Sequence, residues 1–130
     1  MTNDALAVLL QRFIDLPMRL ALFEKGPRAN AKNPSLDDFE LCSCCEPFNV
    51  LRKNWKVDEA KLEARCERWE FTFTERGRMI AGWVLTLVDE DVVVDFAAYD
   101  KPYPINGGDE VIRAEPWIKL SGINRAQALR

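Results

Sequence analysis

The chain contains no histidine. That absence removes the commonest general base, the Ser–His and Cys–His nucleophile pairs and the commonest metal ligand together. It contains no apolar run near the roughly 18–20 residues that a membrane span requires. It has no basic excess either: the formal charge is −3, and the lysines and arginines are scattered. A nucleic-acid face wants a basic stripe, and an anionic lipid surface wants a basic patch. Neither nucleic acid nor membrane is therefore expected as a partner. Asp4 lies in the first turn, and no basic segment precedes an apolar one, so the N-terminus does not read as a secretory signal. Folding in a cytoplasm is the expectation. There is no internal repeat and no low-complexity segment.

What is present is core material. Hydrophobic residues make up 48 % of 130 residues, enough to bury one core and one domain. Residues 2–15 have helical spacing, with Thr2 or Asn3 as cap, Asp4 at the positive helix start, and Leu6, Leu9, Leu10, Phe13 and Ile14 on one face. Pro17 ends the helix. Met18, Leu20 and Leu22 then alternate with Arg19, Ala21 and Phe23 as a strand. Residues 25–35 read as a loop, 36–42 as a turn leading into a strand, and 43–56 as an irregular connection anchored by Phe48 and Trp55. Leu62, Ala64 and Cys66 mark a half-exposed strand, with a helix over 58–68 as the alternative on propensity. Trp69, Phe71 and Phe73 mark another strand.

Met79–Val88 is apolar on both faces and is expected as a central strand. The acidic turn 89–91 returns it to a partner at 92–98. Pro102 and Pro104 mark an edge or crossover, and Asn106-Gly107-Gly108-Asp109 a turn. One last strand is expected from Val111 to Leu120, with Pro116 on an edge and Trp117 on its polar face. The sum is a mainly β chain, a β-sandwich or jelly-roll-like domain over 17–121 with one N-terminal helix and a polar tail at 122–130.

Chemistry-bearing residues are few. Cys42, Cys44 and Cys45 cluster, and Cys66 follows. In an extended chain, adjacent Cys44 and Cys45 point to opposite sides, and only Cys66 is left for a second half-site, so a zinc tetrahedron is not expected. The expected chemistry is a disulfide or cross-link drawn from Cys42, Cys44, Cys45 and Cys66, for example Cys42 or Cys44 to Cys66, or between subunits once a particle meets oxidant. The acidic clusters at 37–38, 89–91 and 109–110 lack the spacing of a calcium loop. No catalytic residue and no cofactor is expected. A cysteine-based metal or redox module stands as a rival reading. The helix is expected to cover one end of the core, with docking on a neighbour as the alternative; candidate contact residues are then Leu6, Leu10 and Phe13 on the helix and Trp117 on the last strand.

The order of several segments resembles a family of small structural proteins of tailed bacteriophages. These are Arg19-Leu20-Ala21-Leu22-Phe23, Phe39 with Phe48, Trp55, Phe71-Thr72-Phe73-Thr74, Gly82-Trp83-Val84-Leu85-Thr86 before Val88-Asp89, and Pro102-Tyr103-Pro104-Ile105-Asn106-Gly107-Gly108-Asp109-Glu110-Val111. The cysteine cluster and the charged stretch 52–70 lie outside this pattern. The resemblance implies a non-enzymatic virion protein made in the host bacterial cytoplasm. Its expected role is capsid decoration or cement, with a neck, collar or tail-fibre component as the alternative. Its expected partners are the major capsid protein or neck and tail proteins, together with copies of itself in a symmetric oligomer such as a trimer.

Overall fold

A computed structural model describes residues 1–120; the polar tail expected over 122–130, and residue 121 of the expected sandwich, lie outside the described residues. The chain is mainly β with one N-terminal helix, as expected, in a sandwich-like arrangement of antiparallel sheets. Helix α1 spans Asn3–Ile14, and the Oγ1 of Thr2 accepts the Ala5 N–H at 3.1 Å, satisfying one of the free donors of the first turn.

Strands β1 (Met18–Lys25), β2 (Glu40–Leu41), β3 (Phe48–Val50), β7 (Arg78–Leu87) and β8 (Val93–Ile105) form the large sheet. β1 and β7 are central. β1 pairs β7 from Met18↔Leu87 to Phe23↔Gly82 along one side, and β2 and β3 along the other. Both central strands are apolar on both sides because both of their faces are covered. Met18, Leu20, Leu22, Trp83 and Leu85 join one core with Leu10 and Ile14 of α1, while Ala21, Phe23 and Val84 join a second with Phe39.

The first core is closed by two smaller sheets. One is β4 (Trp55–Asp58), β5 (Glu63–Cys66) and β10 (Trp117–Lys119), in the order β10-β5-β4; the other pairs β6 (Trp69–Thr72) with β9 (Val111–Ala114). Two expectations are corrected here, and one alternative is removed. The connection 43–56 holds two short strands, β3 and β4, whose hydrogen-bonding partners are distant in sequence. The helix offered as the alternative over 58–68 does not form: β5 carries the strand expected around Leu62–Cys66, and a tight turn between β4 and β5 places Leu62 at φ 52°, its side chain fully buried. The stretch 111–120 is two strands in two sheets. Pro116 sits at the break, buried, and its carbonyl accepts the Cys66 N–H at 2.9 Å.

The hairpin at 89–91 forms as expected, and β8 runs at the sheet edge through both prolines. Gly82 is required by packing. A Cβ there would collide with the carbonyl oxygen of Ala97 and come within 2.6 Å of Phe23 Cζ. After β8, the Glu110 carboxylate accepts the N–H groups of Asn106 at 2.7 Å and Gly108 at 2.9 Å, which closes the Asn-Gly-Gly turn with Gly108 at φ 95°.

Candidate functional site: the cysteine turn and the outer β edge

β2 and β3 occupy the same edge of β1, and the chain between them leaves the sheet. The Cys42 N–H still donates to Leu22 O at 2.9 Å, and pairing resumes only at Phe48, opposite Leu20. Residues 43–47 are thus an excursion from an otherwise continuous edge, a device that re-aims side chains. Because the excursion is bent, Cys44 and Cys45 do not diverge as they would in a strand. The Sγ atoms of Cys42, Cys44 and Cys45 lie within 4.8 Å of one another.

Cys42 and Cys44 are joined by a disulfide, and Cys45 and Cys66 are free thiols. The bridge lies within the expected set of four cysteines, but not as the example link from Cys42 or Cys44 to Cys66. Cys66 sits in β5, where Trp69 Nε1 donates to its sulfur at 3.2 Å, and it is not among the three clustered sulfurs. The sequence separation of the bridge is 2. A loop that short restrains the unfolded chain by only about 1.5 kcal/mol, whereas a bridge to Cys66 would give about 3.5 kcal/mol. The bond is a weak mechanical staple.

Two contacts shape the turn. The Cys44 N–H points at Cys42 Sγ, 3.3 Å away. Arg78 reaches Ser43 Oγ at 3.5 Å while its other nitrogen holds the Glu24 carboxylate at 3.3 Å. Burial, and next to it the charge of Glu24, push the Cys45 thiol up to about 11. In the absence of a ligand it stays protonated at neutral pH and is a poor nucleophile. Cys44 and Cys45 open onto a surface cleft of about 320 Å³ floored by Phe48 and Phe71, with Glu46, Glu70, Thr72 and Thr74 around it.

The expected contact residues divide. Leu10 is fully buried in the first core, Phe13 is half-buried against the same core, and Leu6 is half-buried. The expected helix face is therefore turned inward, and Leu10 is corrected from a contact residue to a core residue. The turn carrying Ala7, Leu10 and Ile14 wins because it can reach the sheet. Val8 and Leu9, one step round the helix, are left about half exposed at 50 % and 48 %. Sequence reasoning placed Leu9 on the wrong side, since an apolar arc wider than the buried stripe does not say which part faces the sheet.

Trp117 is where it was expected, exposed on β10 at 43 %. Its Nε1 donates to Glu63 Oε2 at 3.1 Å, and the ring has the Arg65 guanidinium at 5.2 Å and the Lys119 ammonium at 5.9 Å from its centroid. These contacts fix the ring's orientation while leaving part of it open. Among the described residues, β10 is the outer strand of its sheet.

No helix among the described residues is long and apolar enough to cross a membrane. No protein-family model, no curated protein and no solved structure matches the chain.

Proposed function

We propose that this chain is a structural component of a bacteriophage particle, a capsid decoration or cement subunit that acts through its surface. A neck, collar or tail-fibre position is the alternative within the same class. The observation that carries the reading is the outer edge of β10: an exposed tryptophan, held in place by Glu63, Arg65 and Lys119, on a strand at the edge of its sheet. Pre-oriented aromatics at a sheet edge are the kind of anchor that protein interfaces use. The order of segments, which resembles that of small phage proteins, points the same way. Gly82 and the turn closed by Glu110, both within those segments, answer to packing and hydrogen-bonding needs of this fold.

A subunit of this kind stabilises a shell by mass action, each bound copy favouring the assembled state. Its partners are the major capsid protein or the neck and tail proteins, and copies of itself in a symmetric oligomer such as a trimer. It has no catalytic role in this reading. The test is quantitative mass spectrometry of density-purified particles from the producing culture. The chain is expected to co-purify at fixed stoichiometry, high copy number assigning the shell and low copy number the neck or tail, and Trp117→Ala should weaken its retention at least about tenfold. A chain absent from the particles, or retained equally with Trp117→Ala, overturns the proposal or its anchor respectively.

A further inference from the structure

We infer that the reduced Cys42-Ser43-Cys44-Cys45 turn is a three-thiolate site for a soft closed-shell cation of the Cu(I) or Zn(II) class, and that the Cys42–Cys44 disulfide is its oxidised, metal-free state. The inference is independent of the particle role.

Geometry comes first. A metal–thiolate bond of about 2.3 Å places three sulfurs around a common ion roughly 4 Å apart. The three Sγ atoms already lie within 4.8 Å of one another on four consecutive residues. Opening the bridge lets Cys42 and Cys44 move apart to that spacing. The excursion is not paired to β1 between Cys42 and Phe48, so the adjustment breaks no part of the sheet.

The surroundings offer contacts to a bound sulfur, while burial and Glu24 keep the Cys45 thiol protonated until an ion displaces its proton. The Cys44 N–H aimed at Cys42 Sγ at 3.3 Å is the kind of backbone donor that steadies a metal-bound sulfur. Arg78 adds a cation at the same turn through Ser43. Glu24, the carboxylate facing Cys45, is held by Arg78 at 3.3 Å. With no imidazole in the chain, the three convergent donors are all sulfur, which selects soft ions over calcium or magnesium. The cleft on which Cys44 and Cys45 open supplies an entry path and a free coordination position, with Glu46 beside it.

The chemistry balances with a dithiol reductant. It gives two electrons and two protons to the Cys42–Cys44 bond, producing two thiols, and closes to its own disulfide. The entering ion then displaces the protons of Cys42, Cys44 and Cys45 to solvent and forms three metal–sulfur bonds.

The experiment uses the full chain, reduced under anaerobic conditions and exchanged free of reductant. It is offered Cu(I) or Zn(II) in competition with a chromophoric chelator, and native mass spectrometry reads the stoichiometry. One ion per chain is expected in the reduced protein and none in the oxidised protein. Cys45→Ser and Cys42→Ser should each weaken binding at least about tenfold, and Cys66→Ser should leave it unchanged, with circular dichroism confirming that every variant is folded. Retention of Cu(I) with little Zn(II) identifies a three-coordinate site. Comparable retention of both identifies a fourth donor, which Glu46→Gln would remove. Failure of the reduced chain to hold either ion, or full binding by folded Cys45→Ser, overturns the inference.

Discussion

The two faces of the large sheet are built from the same strands and are covered very differently. On one, α1 and two small sheets bury Met18, Leu20, Leu22, Trp83 and Leu85 under several layers of side chains, with Leu10, Ile14, Phe71 and Ile112 among them. On the other, Ala21, Phe23 and Val84 are covered by Phe39, Phe96 and the loop that starts at Gly26. The Phe23 and Phe39 rings meet edge-on at 4.9 Å, and Phe39 and Phe96 at 5.6 Å. The difference teaches that burial of a strand residue does not report how rigidly it is held. Phe23 and Leu20 are both fully buried, but the cover over Phe23 is one loop that can yield, and the cover over Leu20 is regular structure that cannot.

The sharpest way to break this comparison is Gly82→Ala. Here the thin face should behave as rigidly as the thick one, because the added methyl meets the backbone oxygen of Ala97 on the neighbouring strand as well as Phe23. A loss of about 3 kcal/mol or more is expected in urea unfolding. A loss below about 1 kcal/mol would show that β7 and β8 separate easily there.

A matched pair measures the two covers directly. Leu10→Ala on the thick face is expected to cost about 3 kcal/mol, since the helix and sheet cannot collapse onto the cavity. Phe39→Ala should cost about 1–2 kcal/mol although the side chain is larger, because the loop can settle onto Phe23 and Phe96. Equal losses in the two variants would remove the distinction.

The smallest effect lies at the rim of the thick face. Asp95 stands opposite Leu85, and burial raises its carboxyl above the ordinary value, partly offset by the Phe96 N–H that it accepts at 2.8 Å. The folded state therefore binds the proton more readily than the unfolded one. Ionised Asp95 costs stability at neutral pH, and that cost disappears as the pH falls through the folded-state value. Asp95→Asn keeps an acceptor for Phe96 and carries no charge. It is expected to be slightly more stable than the parent at pH 7, with the gain vanishing below the ordinary value of 3.8. A gain independent of pH would trace the effect to something other than ionisation.

Much of the large sheet was legible in the sequence, for local reasons. The 3.6 period of residues 2–15, the alternation after Pro17, and the doubly apolar run at Met79–Val88 followed by an acidic turn are properties of neighbouring residues. The short strands β3 and β4 were not legible. Phe48 is in a strand because Leu20 is beside it, and Trp55 because Cys66 is. Leu62 took a left-handed conformation that no local rule assigns to leucine; a fully buried side chain compensates for the strain. Of the candidate site, Trp117 was found from its place on the polar side of an alternating strand. The clustering of Cys42, Cys44 and Cys45 along the chain was legible, but the meeting of their sulfurs was not, because it depends on the chain leaving the edge of β1, and the lone Pro47 in that excursion does not say where side chains point.

The amino-acid order by itself determined the class of fold, the helix and the two central strands, because hydrophobic periodicity acts over a few residues. It also determined that sulfur, and not imidazole, would be the soft donor available. Only the tertiary structure decided which part of the helix faces inward, where the 111–120 stretch breaks between sheets, and which three sulfurs meet. Each of those outcomes is set by what lies across the space between segments, and contacts between residues far apart in sequence leave no period along the chain.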